Sequence, residues 1–282
     1  MIPDFAADAE RLAAIALAED GCCDVTSDVT VASRARGRGR IEFRSRGVLA
    51  GQVYADAVAR ACDCTIAWDV PEGANLSKPG AVGTMAGVLA QLLRAERPLL
   101  NLLQRASGVA TATRAYVGAV AETSARILHT RKTAPGLRIL DIAGVLAGGG
   151  ALHRLDLAHT VMVKDNHWQA LAAQGKTLHA ALAEARLRGI RGLQVEVESE
   201  TQLRSACEAG ATRLLVDNQS PETVKRWTEL ARELKPGIEI EATGGITLDN
   251  VRAYAEAGAD FISVGALTHS VRAADIAFEI TA

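Results

Sequence analysis

Apolar residues at helical spacing come first. AADAERLAAIALAE, residues 6–19, sets Leu12, Ile15 and Leu17 among alanines and predicts an amphipathic helix. GCCDVTSDVT follows and reads as a loop in which Asp24, Thr26 and Asp28 supply a turn or helix cap. GRIEFRSRGVLAG alternates, with Ile41 and Phe43 between polar neighbours, and predicts a strand with one solvated face. WDVPEGANLSKPGAVGTM is dense in Gly and Pro and reads as turns between short strands. From Gly87 to Val120 the pattern changes to long alanine- and leucine-rich helices. The opening third of the chain therefore reads as a small α+β unit that ends in helices.

From about Ile127 short β-prone runs recur: ARIL, TVMV, LQVEV, RLLV, IEIEA and FISV. Helical stretches separate them, among them WQALAAQGKTLHAALAEARLRG, ETQLRSACEAG, PETVKRWTELARELK and LDNVRAYAEAG. Alternating strand and helix implies right-handed crossovers and a parallel sheet. Six such units fit a (β/α) barrel short of eight strands, with an open doubly wound sheet as the alternative. No G-x-G-x-x-G follows a strand, which counts against the nucleotide-binding open sheet.

The strands read as apolar and their C-terminal tips as polar. ARIL leads into His129-Thr130-Arg131-Lys132, TVMV into Lys164-Asp165-Asn166-His167, and RLLV into Asp217-Asn218. LQVEV carries Glu196, IEIEA ends in Thr243-Gly244-Gly245, and FISV runs into Gly265-Ala266. A parallel barrel gathers such tips at one mouth, where its site is built. No single motif carries that argument; six decorated strand ends in a row do.

The gathered groups sort by charge. Arg131, Lys132 and Lys164, joined by His153 and Arg154 from the GGGALHR loop, form a cationic set, and Glu196 and Asp217 an acidic one. Gly244, Gly245 and Gly265 offer main-chain N–H groups at the openings of the last helices, a phosphate-binding device. Two carboxylates amid cations call for a hard metal such as Mg²⁺ bridging to a phosphate-bearing substrate. The surplus of Arg and Lys calls for a second anion, and Arg matches planar carboxylates in bidentate fashion. His129, His159, His179 and His269 show no metal-ligand spacing and read as structural or exposed.

Bulk properties narrow the picture further. The 282 residues carry a formal net charge of −2 and 4% aromatics, which argues against nucleic-acid and membrane-surface binding. The five cysteines (Cys22, Cys23, Cys62, Cys64, Cys207) fit neither a zinc ribbon nor a disulfide framework. With no basic-then-apolar leader and no run of about 18 apolar residues, the expectation is a cytoplasmic protein with reduced thiols.

RAERPLLNLLQRASGVAT, TRKTAPGLR, AGGGALHR, VKDNH, VEVES, LLVDN, EATGGIT and SVGALTHS occur in this order along nearly the whole chain. Together they resemble the quinolinate phosphoribosyltransferase family, the carboxylating nicotinate-nucleotide diphosphorylases. The resemblance implies an α/β fold: an N-terminal open α/β sandwich domain, residues 1–107 with 271–282 returning to it, plus an incomplete (β/α) barrel over 108–270. It implies a homodimer in which one subunit's sandwich covers the other's barrel mouth. It also implies the reaction: phosphoribosyl pyrophosphate and Mg²⁺ bind, quinolinate's ring nitrogen takes the phosphoribosyl group, pyrophosphate leaves, and CO₂ is lost to give nicotinate mononucleotide.

By the resemblance, Arg131, His153, Arg154 and Lys164 form the quinolinate pocket, and Arg97 comes from the neighbouring subunit. Lys132, Lys164, Glu196 and Asp217 are the catalytic groups around phosphoribosyl pyrophosphate, with Glu196 and Asp217 on the metal. Thr243, Gly244, Gly245, Gly265 and Ala266 hold the 5′-phosphate. The chain departs from the family at His129, where Asp is common, at Leu152, where Asn is common, at Ile142-Ala143, where Lys-Tyr is frequent, and at Asp156, where Gly is common. These departures surround the acceptor pocket. They leave open a paralogue of the molybdate-transport-associated type acting on another carboxylated heteroaromatic, although KDNH and VEVES point to the quinolinate branch.

Overall fold

The computed structural model describes residues 2–281. Along the chain run α1 (Phe5–Glu19), α2 (Val25–Thr30), β1 (Arg36–Phe43), β2 (Gly47–Val48), α3 (Gln52–Ala61), β3 (Thr65–Trp68), β4 (Asn75–Leu76), β5 (Gly80–Val88) and α4 (Leu89–Ala119). There follow β6 (Arg126–Leu128), α5 (Arg138–Ala147), β7 (Thr160–Val163), α6 (Asp165–Ala173), α7 (Leu178–Leu187), β8 (Gly192–Val197) and α8 (Glu200–Glu208). β9 (Arg213–Asp217), α9 (Pro221–Leu234), β10 (Glu239–Thr243), α10 (Val251–Glu256), β11 (Phe261–Ser263), α11 (Ala266–His269) and β12 (Ile276–Thr281) complete it. The chain divides into two compact units. One takes in the residues up to Arg114, Lys132–Gly150 and the segment from Ala266; the other takes in Ala115–Arg131 and Ala151–Gly265.

The first unit holds an antiparallel sheet in the order β12-β1-β5-β3. Ile41 and Phe43 of β1 are buried, as the alternation predicts. The stretch read as turns behaves otherwise: its GAVGTM part lies within β5, nine residues long. Further along β5 glycine makes room rather than a turn, since a Cβ on Gly87 would sit 2.6 Å from the Cys64 sulfur. GCCDVTSDVT likewise holds a helix, α2, because the Asp24 carboxylate accepts the Thr26 and Ser27 N–H groups at 3.1 Å each. Tyr54, Leu92, Leu99, Leu103, Leu140 and Ile276 are among the buried residues of its core. Asp141 is fully buried and accepts two hydrogen bonds from Arg105, at 2.7 and 2.9 Å. Burial pushes its carboxyl up from the ordinary range, against the pull of that guanidinium.

The second unit is a six-stranded parallel sheet in the order β6-β11-β10-β9-β8-β7. Each strand from β7 to β10 lies beside its successor, and β6 lies beside β11. The two edges are thus β6 and β7, consecutive in the chain, so the sheet is an incomplete barrel open between them. A single parallel bridge, Leu128 to Ala151, covers part of the free edge of β6. The helical stretch after β7 is two helices, because Gly175 takes a φ of 63° and Lys176 N–H closes back on Leu171 O at 3.0 Å.

Side chains alternate across this sheet. Val195, Leu214, Ile240 and Ile262 form one buried apolar face. The registers Glu196↔Leu215↔Glu241↔Phe261 and Thr243↔Asp217 set the polar residues on the opposite face.

One test concerns the return of the chain end onto the first unit. A Cβ on Gly108 would lie 2.3 Å from the main-chain oxygen of Arg272. Gly108→Ala is expected to cost about 1–3 kcal/mol through overpacking, read as a lowered Tm; an unchanged Tm would show that the segment around Arg272 yields freely.

Candidate functional site

Local structure places the second unit's candidates at its C-terminal strand ends. Lys164 follows β7 and is the N-cap of α6. Its N–H donates to His167 Nδ1 at 3.1 Å, and the Trp168 indole N–H donates to Glu196 O at 2.9 Å, fastening the first turn of α6 to β8. Lys164 Nζ lies 2.5 Å from Glu196 Oε2, and the Glu196 side chain is 7% exposed. The lysine is thus the countercharge paired with this buried carboxylate.

Asp217 ends β9, and Asn218 after it takes a φ of 52° and donates its side-chain amide to Asp217 Oδ2 at 2.6 Å. Burial pushes the Asp217 carboxyl up from its ordinary value, the negative charge of Glu196 adds to this, and Lys164 opposes it. The two carboxylates therefore sense one another across the mouth. Thr243 ends β10, with its oxygen accepting the Asn218 N–H at 2.9 Å. Gly244 must be glycine: its φ is 83°, and a Cβ would sit 2.2 Å from Asn218 Oδ1. The glycines do not open a helix as expected. α10 starts only at Val251, so any ligand at this loop meets bare turn backbone.

Around β6 lies the cationic group. Burial lowers the pKa of Arg154 from its ordinary value, and the charge of Arg131 lowers it further, while Glu241 and Asp156 oppose. The Arg131 Nε is buried without a hydrogen-bond partner among the described residues, a donor that an incoming anion would satisfy. His153 is held twice. Its N–H donates to His129 Nε2 at 3.0 Å, and its own Nε2 lies 3.3 Å from Glu241 Oε2. The structure thus gathers Arg131, His153 and Arg154 as one set, and Lys164, Glu196 and Asp217 as another. Gly265 closes the second unit after β11. Lys132, Ala266 and Arg97 belong to the first unit, where Lys132 O accepts the Thr268 hydroxyl at 2.8 Å and the Arg97 side chain is 60% exposed.

Reading the strands as apolar missed Glu241. It is buried at 1% exposure, with Arg213 Nη1 at 3.1 Å and the Ser263 hydroxyl at 2.6 Å. Its position two residues before Thr243, in step with Glu196 across the sheet, was the signal. His129 was expected to be structural or exposed, and it is fully buried as a support for His153.

Two carboxylates that repel, one of them raised by burial and by the other's charge, fit a divalent cation completed by substrate phosphate and water. No cluster of three or more His, Cys, Asp or Glu able to hold a metal occurs among the described residues, so an all-protein cage is not what this mouth offers.

Residues 24–107 match the family model described as quinolinate phosphoribosyl transferase, N-terminal domain, and residues 109–279 match its C-terminal domain. A Homo sapiens nicotinate-nucleotide pyrophosphorylase [carboxylating] is 39% identical over 243 residues, 85% of this chain and 80% of that protein. The Mycobacterium leprae protein of the same name is 37% identical over 266 residues, 91% of each. The structure of the nicotinate-nucleotide pyrophosphorylase from Francisella tularensis superposes with a TM-score of 0.91 at 29% identity, covering 100% of this chain and 98% of that one.

The raised Asp217 gives a test. A carboxyl whose folded pKa lies above its unfolded value costs stability once pH rises through the ordinary Asp range, and the cost is full above the raised value. Asp217→Asn is therefore expected to raise the Tm of the ligand-free protein at neutral pH, on the order of 2 °C, and to leave it unchanged at about pH 3. Thermal melts at both pH values check this, and a lowered Tm at neutral pH would contradict it.

Proposed function

The chain belongs to the quinolinate phosphoribosyl transferase family, and we propose that its barrel mouth is where the family's reaction is run. It is a pentosyltransferase of NAD biosynthesis, with the activity of a carboxylating nicotinate-nucleotide pyrophosphorylase. The ring nitrogen of quinolinate displaces pyrophosphate from C1 of phosphoribosyl pyrophosphate. The adjacent carboxylate leaves as CO₂, its bonding pair stays on the ring carbon beside the quaternised nitrogen, and a proton replaces it to give nicotinate mononucleotide. The carboxylating relatives favour quinolinate over the alternative paralogue, and the second unit keeps the charge arrangement that quinolinate needs.

Each residue's role follows from charge. Arg131, His153 and Arg154 neutralise the two acceptor carboxylates, and the unpartnered Arg131 Nε is the observation that carries this assignment. Lys164 serves the acceptor and, through Glu196, the phosphoribosyl side. Glu196 and Asp217 favour positive charge developing at the sugar's C1, and Lys132 the negative charge developing on pyrophosphate. Thr243, Gly244, Gly245, Gly265 and Ala266 are assigned to the 5′-phosphate. Mg²⁺, held between Glu196 and Asp217, would neutralise the phosphate oxygens of the leaving group.

A homodimer completes the site in this reading. Exposed Arg97, whose nearest carboxylate is Glu96 at 3.9 Å, is a cation available to a neighbouring subunit's acceptor pocket. The working division is a sandwich domain of 1–107 with 271–282, and a catalytic barrel of 108–270. Five free cysteines support a cytoplasmic location, and no helix among the described residues is long and apolar enough to cross a membrane.

Incubation with quinolinate, phosphoribosyl pyrophosphate and Mg²⁺ is expected to release pyrophosphate, CO₂ and nicotinate mononucleotide; phosphoribosyl transfer only to other acceptors would overturn the quinolinate assignment. Lys164→Ala and Glu196→Ala are each expected to lower the rate by roughly 10²-fold or more, and near-wild-type rates in either would remove its assigned role. Mixing Arg97→Ala with Lys164→Ala subunits should recover activity that neither has alone if the site is shared, and no recovery would mean that it is not.

A further inference from the structure

Resting on that reading of the acceptor pocket, we propose that Glu241 is a positioning residue that holds His153 as a doubly protonated cation for one acceptor carboxylate. The His153 side chain is 6% exposed, with Nε2 committed to Glu241 Oε2 at 3.3 Å. An ionised carboxylate can only accept, so Nε2 must carry a proton. That leaves Nδ1 for a ligand. A ligand carboxylate also only accepts, so Nδ1 must carry a proton too.

Such an imidazolium stands in a crowd of like charge. Arg154 shares its loop, and Arg131 lies close enough to depress Arg154. His129, from the end of β6, adds no charge: its Nε2 accepts the His153 N–H and cannot also be protonated. Asp156 is exposed and paired with His159 at 3.0 Å. From β9, Arg213 is shared between Glu239 at 2.8 Å and Glu241 at 3.1 Å. From β11, Ser263 donates a neutral hydroxyl to the other Glu241 oxygen. Glu241 is therefore the carboxylate in direct contact with the His153 ring. Burial alone would push Glu241 up, but the His153 hydrogen bond and charge, Ser263 and Arg213 together hold it below the ordinary value. The two histidines, their ring centroids 6.3 Å apart, are thus kept in opposite states: His129 neutral to fix the main chain, His153 cationic to meet the acid.

The experiment measures kcat and the KM of each substrate between about pH 5 and pH 9 for wild type, Glu241→Gln and Glu241→Asp. Glu241→Gln is expected to move the alkaline rise in quinolinate KM down by about one pH unit, so that its KM exceeds the wild-type value by a factor that grows to about tenfold at the alkaline end. At the acid end its quinolinate KM should match wild type, with kcat and the phosphoribosyl pyrophosphate KM unchanged throughout. Glu241→Asp, which keeps the charge, should restore the wild-type pH profile. A pH-independent loss in kcat or in both KM values, or no change at all, would overturn the proposal. If Glu241→Gln fails to fold, His153→Gln tests the same point: its quinolinate KM should be high and flat with pH, and a wild-type profile would be decisive against it. Wild type that turns over no quinolinate would defeat the functional reading and this proposal together, whereas turnover with an unshifted Glu241→Gln profile defeats only the role of Glu241.

Discussion

Glu196, Glu241 and Asp217 lie on the polar face of a parallel sheet whose other face is closed by apolar side chains, and much of the second unit's chemistry follows from answering those three charges. A buried carboxylate without a partner would be driven to take up a proton. Glu196 is answered by Lys164, and Glu241 by His153, Arg213 and Ser263. Asp217 is raised by burial and by the charge of Glu196, which the pull of Lys164 and a neighbouring amide oppose. The gradation matters: a fully satisfied carboxylate is a fixed support, and a partly satisfied one suits the cation proposed to arrive with the substrate.

The same logic governs the cations. The charge of Arg131 disfavours that of Arg154, and in the proposed acceptor pocket an entering dicarboxylate would answer both cations. Lys164 links the two regions, because its ammonium neutralises Glu196 while its main chain starts α6.

Several features lay beyond what the pattern alone could show. Glycine in β5 and at the 243–245 loop looks the same in sequence. In β5 it yields space to the Cys64 sulfur, and at Gly244 it permits a positive φ beside Asn218. Asp24 was legible as a cap, but a helix of six residues is too short for periodicity to announce. Glu241 lay inside a run read as apolar, and only the register with β9 and β11 reveals that it shares a face with Glu196 and meets Ser263. His129 had no spacing signal because its partner, His153, is 24 residues away and meets it through a main-chain N–H.

The sequence by itself determined the parallel α/β character, the positions of the six barrel strands, the decorated strand ends and, through its ordered motifs, the family. Those features are local: they depend on periodicity, capping residues and short runs whose meaning survives without neighbours. Tertiary structure alone decided which edge of the barrel stays open, that Lys164 closes on Glu196 rather than on Asp217, that Asp217 is the raised carboxylate, and that Glu241 and His129 grip His153 from two sides. Each of these depends on desolvation and on distances between residues far apart in the chain, and both arise only when the sheet has assembled.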